Sequence, residues 1–211
     1  MIAIVDYGMG NLRSAQKGLE KAGHAAVITD DPAVVAHADA VVLPGVGAFK
    51  DCYDGLKSRG FVEPLREAAA SGKPFLGICV GLQLLFDESE EGEGSEGLGI
   101  FKGKVVRFPE SRGSGLKIPH MGWNRLTPKS AGARALLDDP ESHPFVYFVH
   151  SYYAVPEDES IVLATTDHGV EFAAMVGCRN VFAVQFHPEK SQKNGIAILK
   201  AFGDRVAGSA A

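Results

Sequence analysis

No stretch of about 18 uncharged apolar residues occurs in this 211-residue chain, so no membrane-spanning helix is expected. Basic runs are equally scarce. Lysine and arginine total 21 against 26 aspartates and glutamates, a formal net charge of -5, and no basic stretch is long enough to track phosphates. Nucleic acid is therefore not expected as a partner. Cysteine is sparse too. Cys52, Cys79 and Cys178 are widely separated and form no CxxC pair, and their odd number argues against a disulfide framework. A reducing, cytoplasmic compartment is the expectation. The opening MIAIVDYGMG lacks a basic region ahead of an apolar core and cleavage site, so no secretory signal is expected. What is present is the composition of a soluble globular protein, 45% hydrophobic and 22% charged. The length suits one domain of ordinary to large size, and no shift in composition marks a second.

The first half alternates short apolar runs with helical stretches. Residues 2–5, 25–28, 40–43 and 74–78 read as strands, and 11–22, 50–58, 61–70 and 80–86 as helices. Continuous apolar strands alternating with helices imply a parallel sheet covered on both faces, an α/β fold. Strands expected near 103–107, 145–149, 161–164, 172–176 and 181–185 crowd together and suggest an antiparallel or mixed extension of that sheet, closed by a helix over 193–203. Residues 87–99, DESEEGEGSEGLG, are acidic and Gly-rich and read as a mobile solvated loop. Residues 206–211 read as a flexible tail after a domain spanning 1–205.

The chemistry centres on Gly77-Ile78-Cys79-Val80-Gly81, a G-x-C-x-G pentapeptide between a buried strand and a helix. A nucleophile on such a turn is strained and exposed at the carboxyl end of the sheet, and small residues at plus and minus two let the backbone pass. The partial positive charge of the following helix start favours an anionic sulfur. The competing reading is a buried structural cysteine. His187, on the loop after a strand and followed by Pro188 and Glu189, can reach the nucleophile of a neighbouring strand. Glu189 can then hold the other ring nitrogen and stabilise imidazolium. A surface charge pair or a metal ligand are the alternatives for His187; no second histidine at ligand spacing supports a metal, and none is expected. In Pro44-Gly45-Val46-Gly47 two glycines let backbone N–H groups turn toward an anion. Read alone it is an ordinary turn. Beside the cysteine elbow, Gly45, Val46 and Gly47 become oxyanion-hole candidates, with the Val80 N–H as second donor.

GICVGLQLLF, PGVGAF and FHPEKS together resemble the class I glutamine amidotransferases, over residues 43 to 191. PHMGWN at 119–124, YFVHSY at 147–152 and the opening IVDYGMGNLRS are more narrowly similar to the glutaminase subunits of imidazole glycerol phosphate synthase. The resemblance implies a flavodoxin-like single domain, hydrolysis of L-glutamine to glutamate and ammonia, and no cofactor. It implies a heterodimer with a (βα)8-barrel cyclase subunit, which would use the ammonia to convert PRFAR, a phosphoribulosyl formimino aminoimidazole carboxamide ribotide, into imidazole glycerol phosphate and AICAR in histidine biosynthesis. It also implies a triad of Cys79, His187 and Glu189, and a substrate pocket of Gly47, Gln83, His150, Ser151 and Tyr152. Solvation of a helix surface and core packing are the bland readings of Gln83 and Tyr152. An interface at Asn11, Met121, Trp123, Asn124 and Lys190 is implied as well, although a tryptophan on a short loop is more commonly core. Amidotransferase subunits for anthranilate or aminodeoxychorismate synthesis, an inactive regulatory module and a cysteine peptidase are the other functional readings. PHMGWN argues against the first, and the intact Cys79, His187 and Glu189 against the second.

Overall fold

A computed structural model of the chain describes residues 1–92, 94–109, 117–129, 133, 137 and 143–209. Residue 93 of the acidic loop and residues 210 and 211 of the tail lie outside the described residues. The parallel core begins with β1 (Ile2–Val5), β2 (Ala26–Thr29), β3 (Ala40–Gly45) and β4 (Phe75–Cys79). Every residue of β1, β3 and β4 is buried, as strands covered on both faces require. Helices α1 (Leu12–Lys21), after β1, and α3 (Phe49–Ser58) and α4 (Val62–Ala70), in succession between β3 and β4, form where the periodicity predicts. A further helix, α2 (Pro32–His37), was not expected. Asp31 caps it by accepting from Ala33 N at 2.8 Å, and Pro32 sits at its first position.

The main sheet has eight strands in the order β2-β1-β3-β4-β14-β13-β12-β9, where β9 is Thr127–Pro128, β12 Val162–Asp167, β13 Glu171–Cys178 and β14 Val181–Val184. β14 runs parallel to β4, and β13, β12 and β9 extend the sheet antiparallel. The expected extension is therefore there, with one correction. The strands near 103–107 and 145–149 do not join this sheet. β7 (Gly103–Arg107) pairs with β11 (Tyr152–Pro156) and with β5 (Glu88–Ser89), which pairs with β6 (Ser95–Glu96). β8 (His120–Arg125) pairs with β10 (Phe145–His150) as a two-stranded ribbon.

Two segments depart from expectation for physical reasons. The helix read over 80–86 shortens to one turn, α5 (Val80–Gln83). The carbonyls of Leu84, Leu85 and Phe86 accept from Leu98, Ile100, Phe101 and Gly99 N–H groups instead of continuing a helix. The acidic loop is solvent-exposed at Glu88, Glu90 and Glu96, as expected, but it is anchored at Asp87 and Glu91. Asp87 accepts from Lys102 Nζ at 2.8 Å and from Gly103 N at 3.1 Å, and Glu91 accepts from Phe49 N at 2.8 Å. Its carboxylates satisfy backbone donors that composition cannot reveal. The closing helix α6 spans Gln192–Ser209, past the expected end at 203. It packs on α1 so closely that a Cβ on Gly18 would lie 2.7 Å from a methyl of Leu199.

Candidate active site

Three adjacent parallel strands end at one place. Gly45 of β3 is registered with Cys79 of β4, and Val184 of β14 with Ile78, so the PGVG loop, the cysteine elbow and the His187 segment converge at the carboxyl edge. Cys79 takes φ 57° and ψ -113°, a left-handed backbone for a side-chain-bearing residue. Such strain costs about 1–3 kcal/mol and persists only where surrounding packing dictates it. Here the frame is glycine. A Cβ on Gly81 would overlap the Leu43 carbonyl, and one on Gly45 would lie 2.7 Å from Gly81 N and 2.9 Å from the Tyr7 hydroxyl. Those glycines let β3, β4 and α5 approach closely enough to hold the elbow.

His187 follows β14 and is fixed at its backbone. Its N–H donates to Tyr147 O at 2.9 Å, and its carbonyl accepts from Ser191 Oγ at 2.6 Å. Ser191 Oγ in turn accepts from Tyr147 N at 2.9 Å, tying the segment to β10. His187 Nδ1 lies 2.8 Å from Glu189 Oε1, and both side chains are only 2% exposed. Burial pulls the His187 pKa down, but its contacts with Cys79 and Glu189 outweigh that and raise it to about 9. The imidazolium is therefore the resting form at neutral pH, with Nδ1–H donated to the carboxylate. Nε2 is buried and has no hydrogen-bond partner among the described residues, and His187 and Cys79 line the same cavity. The cysteine is 3% exposed, and Gln185 Nε2 approaches its sulfur at 3.8 Å.

That cavity, about 280 Å³, suits a small polar metabolite. Val46, Gly47, Val80, Gln83, His150, Ser151 and Tyr152 all line it, beside Cys79 and His187. Gly45 lies instead on the crevice behind, with Asn11, His187 and Glu189. Gln83 is buried and not a solvated helix position. Its Nε2 donates to Tyr152 O at 2.9 Å and to Gln185 Oε1 at 3.1 Å. The PGVG segment is held at three points. Tyr7 Oη donates to Pro44 O at 2.9 Å, Cys52 Sγ to Val46 O at 3.4 Å, and Phe49 N to Glu91 Oε2 at 2.8 Å. Burial pushes the Cys52 thiol up to about 11, so it remains a donor. Among the described residues no group of three His, Cys, Asp or Glu side chains could hold a metal ion.

Met121 and Trp123 are not on a loop. They alternate outward from strand β8, 66% and 47% exposed, and the Trp123 ring meets Tyr147 edge-on at 6.0 Å. Lys190 is exposed, whereas Asn11 and Asn124 are half-buried.

A family model described as glutamine amidotransferase class-I matches residues 3–205. The chain is 61% identical over 208 residues to "Imidazole glycerol phosphate synthase subunit HisH" of Syntrophotalea carbinolica, covering 97% of this chain and 100% of that one. It is 55% identical to the protein of the same name from Geobacter metallireducens, over 95% of this chain and 96% of that one. The chain belongs to the HisH family of class I glutamine amidotransferases. Solved structures agree on the fold. A glutamine amidotransferase crystal structure matches with TM-score 0.75 at 18% identity over 99% of this chain and 100% of that one. PurLQS from Thermotoga maritima matches with TM-score 0.70 at 21% identity over 100% and 98%.

Sequence reasoning about this amidotransferase missed Glu91, Gln185 and Ser191. Glu91 lines the cavity from the acidic loop read as solvent-facing. Gln185 and Ser191 are wholly buried polar residues. Gln185 had one legible signal, a polar side chain closing the apolar run VFAV directly before the HPE motif.

Proposed function

We propose that this HisH-family chain hydrolyses L-glutamine through a Cys79-His187-Glu189 triad and delivers the ammonia to a cyclase subunit that consumes it. The observation that carries the reading is the strained Cys79 elbow sharing a cavity with a buried His187 whose far nitrogen is held by Glu189 at 2.8 Å.

The Cys79 thiolate attacks the side-chain amide carbon of glutamine. Charge developing on the amide oxygen is met by N–H groups of Val46, Gly47 and Val80, which line the cavity. His187 imidazolium gives its Nε2 proton to the departing nitrogen, so ammonia leaves and a γ-glutamyl thioester remains. The now neutral Nε2 takes a proton from water, which attacks the thioester. Glutamate leaves, and the thiolate–imidazolium pair is restored. Glu189 keeps Nδ1 protonated throughout. The carboxylate of Glu91 supplies the charge that an α-ammonium group needs, and the Ser151–Tyr152 backbone with Gln83 forms the opposite wall.

The exposed Met121 and Trp123 on β8 suit anchors for the cyclase, with Asn11, Asn124 and Lys190 as flanking polar contacts. Formation of imidazole glycerol phosphate is supported by the names of the relatives; PRFAR as acceptor and AICAR as second product rest on the resemblance carried by PHMGWN and IVDYGMGNLRS.

The test is glutamate and ammonia release by the chain with purified cyclase and PRFAR. Cys79→Ala is expected to abolish both while leaving cyclase association intact. Ammonia release persisting in that variant would remove the triad assignment.

A further inference from the structure

A chain of hydrogen bonds, exposed at Asn124 and buried at its His120–His150 link, joins the β8 strand to the wall of the glutamine cavity, and its polarity is fixed from both ends. At one end, Asn124 Oδ1 accepts from Arg125 N at 2.8 Å while Nδ2 donates to Asp167 O at 2.8 Å, which settles the orientation of the amide. The same Nδ2 lies 3.1 Å from His120 Nε2, so that nitrogen is an acceptor. His120 then carries its proton on Nδ1 and donates to His150 Nε2 at 2.9 Å. At the other end, His150 Nδ1 lies 2.8 Å from the Tyr152 carbonyl, which can only accept. His150 must donate there, leaving Nε2 to accept from His120. Both ends thus impose the same pair of tautomers, with the proton on Nδ1 of each ring.

A second proton has no place on either ring. On His120 Nε2 it would oppose the Asn124 amide hydrogen, and on His150 Nε2 it would oppose the His120 N–H. Burial acts in the same sense, holding His120 at about 4 and His150 at about 3. Ring contacts lock the orientation further. His120 stacks on Phe148 with centroids 4.7 Å apart and on His168 at 4.1 Å. The chain ends on a shared acceptor, because Tyr152 O also receives Gln83 Nε2 at 2.9 Å. Gln83 passes to Gln185, and Gln185 to the Cys79 sulfur.

We propose that His120, which does not line the cavity, is a positioning residue for glutamine binding: Asn124 fixes its tautomer, and through His150 it sets the Tyr152 carbonyl and with it the Ser151–Tyr152 wall and Gln83. This rests on the glutaminase reading above. His120 acts through His150 and touches no reacting atom. Loss of its N–H leaves a buried His150 acceptor unpaired, which weakens the hold on the His150 ring and so on its bond to Tyr152 O. The cavity wall would then lose its alignment before the triad does.

The experiment has two arms on the full chain bound to the cyclase. In the first, two-bond nitrogen–proton NMR of the imidazoles reads the tautomers of the parent. Both His120 and His150 are expected to carry the proton on Nδ1 and to stay neutral from pH 5 to 8; a proton on Nε2 of either ring overturns the proposal. In the second, steady-state glutaminase kinetics compare His120→Phe, which keeps a ring but no donor, with His120→Asn, whose amide nitrogen stands where Nδ1 was. The phenylalanine variant is expected to raise the KM for glutamine about tenfold, the scale of one hydrogen bond, with kcat within about threefold. Asparagine is expected to recover most of the KM. Both parameters staying within about twofold in His120→Phe would overturn the proposal, as would a fall in kcat alone. If His120→Phe fails to fold, His120→Asn and the parent tautomers decide. A parent that releases no ammonia refutes the glutaminase reading instead, and the tautomers alone then judge the His120 chain.

Discussion

Replacing Glu189 with glutamine removes one charge and almost no volume, and its consequences follow from the geometry. The side chains of His187 and Glu189 are both 2% exposed and lie 2.8 Å apart, so little solvent screens the pair. His187 is held at about 9 against an ordinary 6.5, and at about 1.4 kcal/mol per pH unit that difference is worth ~3 kcal/mol. Burial opposes the shift, and contacts with Cys79 and Glu189 produce it. In Glu189→Gln the Cys79 contribution remains while the carboxylate is lost, so the imidazolium should deprotonate lower by roughly one pH unit, the scale of one adjacent opposite charge. The sign for stability is that of a raised histidine. The stabilisation is complete below about 6.5 and fades as pH rises through about 9. The variant is therefore expected to lose stability at pH 6 and to converge on the parent above pH 9.5. The assay is kcat/KM for glutamine between pH 6 and 10 in the cyclase complex. The parent's alkaline limb is expected near 9, since thioester formation needs the Nε2 proton, and the variant's near 8, with a drop in rate at pH 8. Superimposable profiles would refute the assignment of Glu189 as the group that holds His187 charged.

Gly81→Ala puts a Cβ into the Leu43 carbonyl, so it is expected to cost at least ~2 kcal/mol and lower Tm by several degrees, together with glutaminase activity; an unchanged melting curve would show that the elbow packing is looser than described. Trp123→Ala removes a 47% exposed aromatic from β8 and is expected to weaken cyclase binding by ~2 kcal/mol, about thirtyfold in Kd by calorimetry, with the isolated chain's melting temperature unmoved.

Much of the parallel core was legible because burial on both faces leaves continuous apolar runs. IAIV, AVVL and PFLGI need no partner information to read as strands. The elbow and His187 were legible for another reason, since glycine spacing and a histidine after a strand encode local geometry directly. The failures have a common cause in distant partners. PHMGWN read as a loop, yet β8 places His120 inward and Met121 and Trp123 outward, a pattern visible only once β10 supplies the pairing strand. Glu91 read as solvated because an acidic, glycine-rich window gives no hint that Phe49 N lies within 2.8 Å. The one-turn α5 reflects competition for carbonyls from residues 98–101, which no window on 80–86 contains. Among the helices, α2 was missed despite a local signal, the Asp31-Pro32 start.

The most direct test of the account is capture of the covalent intermediate. Protein in the cyclase complex would be mixed with glutamine, quenched in acid within the first turnovers and analysed by intact and peptide mass spectrometry. The account predicts an added glutamyl group on the peptide carrying Cys79, absent in Cys79→Ala and absent without glutamine. Ammonia release from parent protein with the glutamyl group on another residue would contradict it.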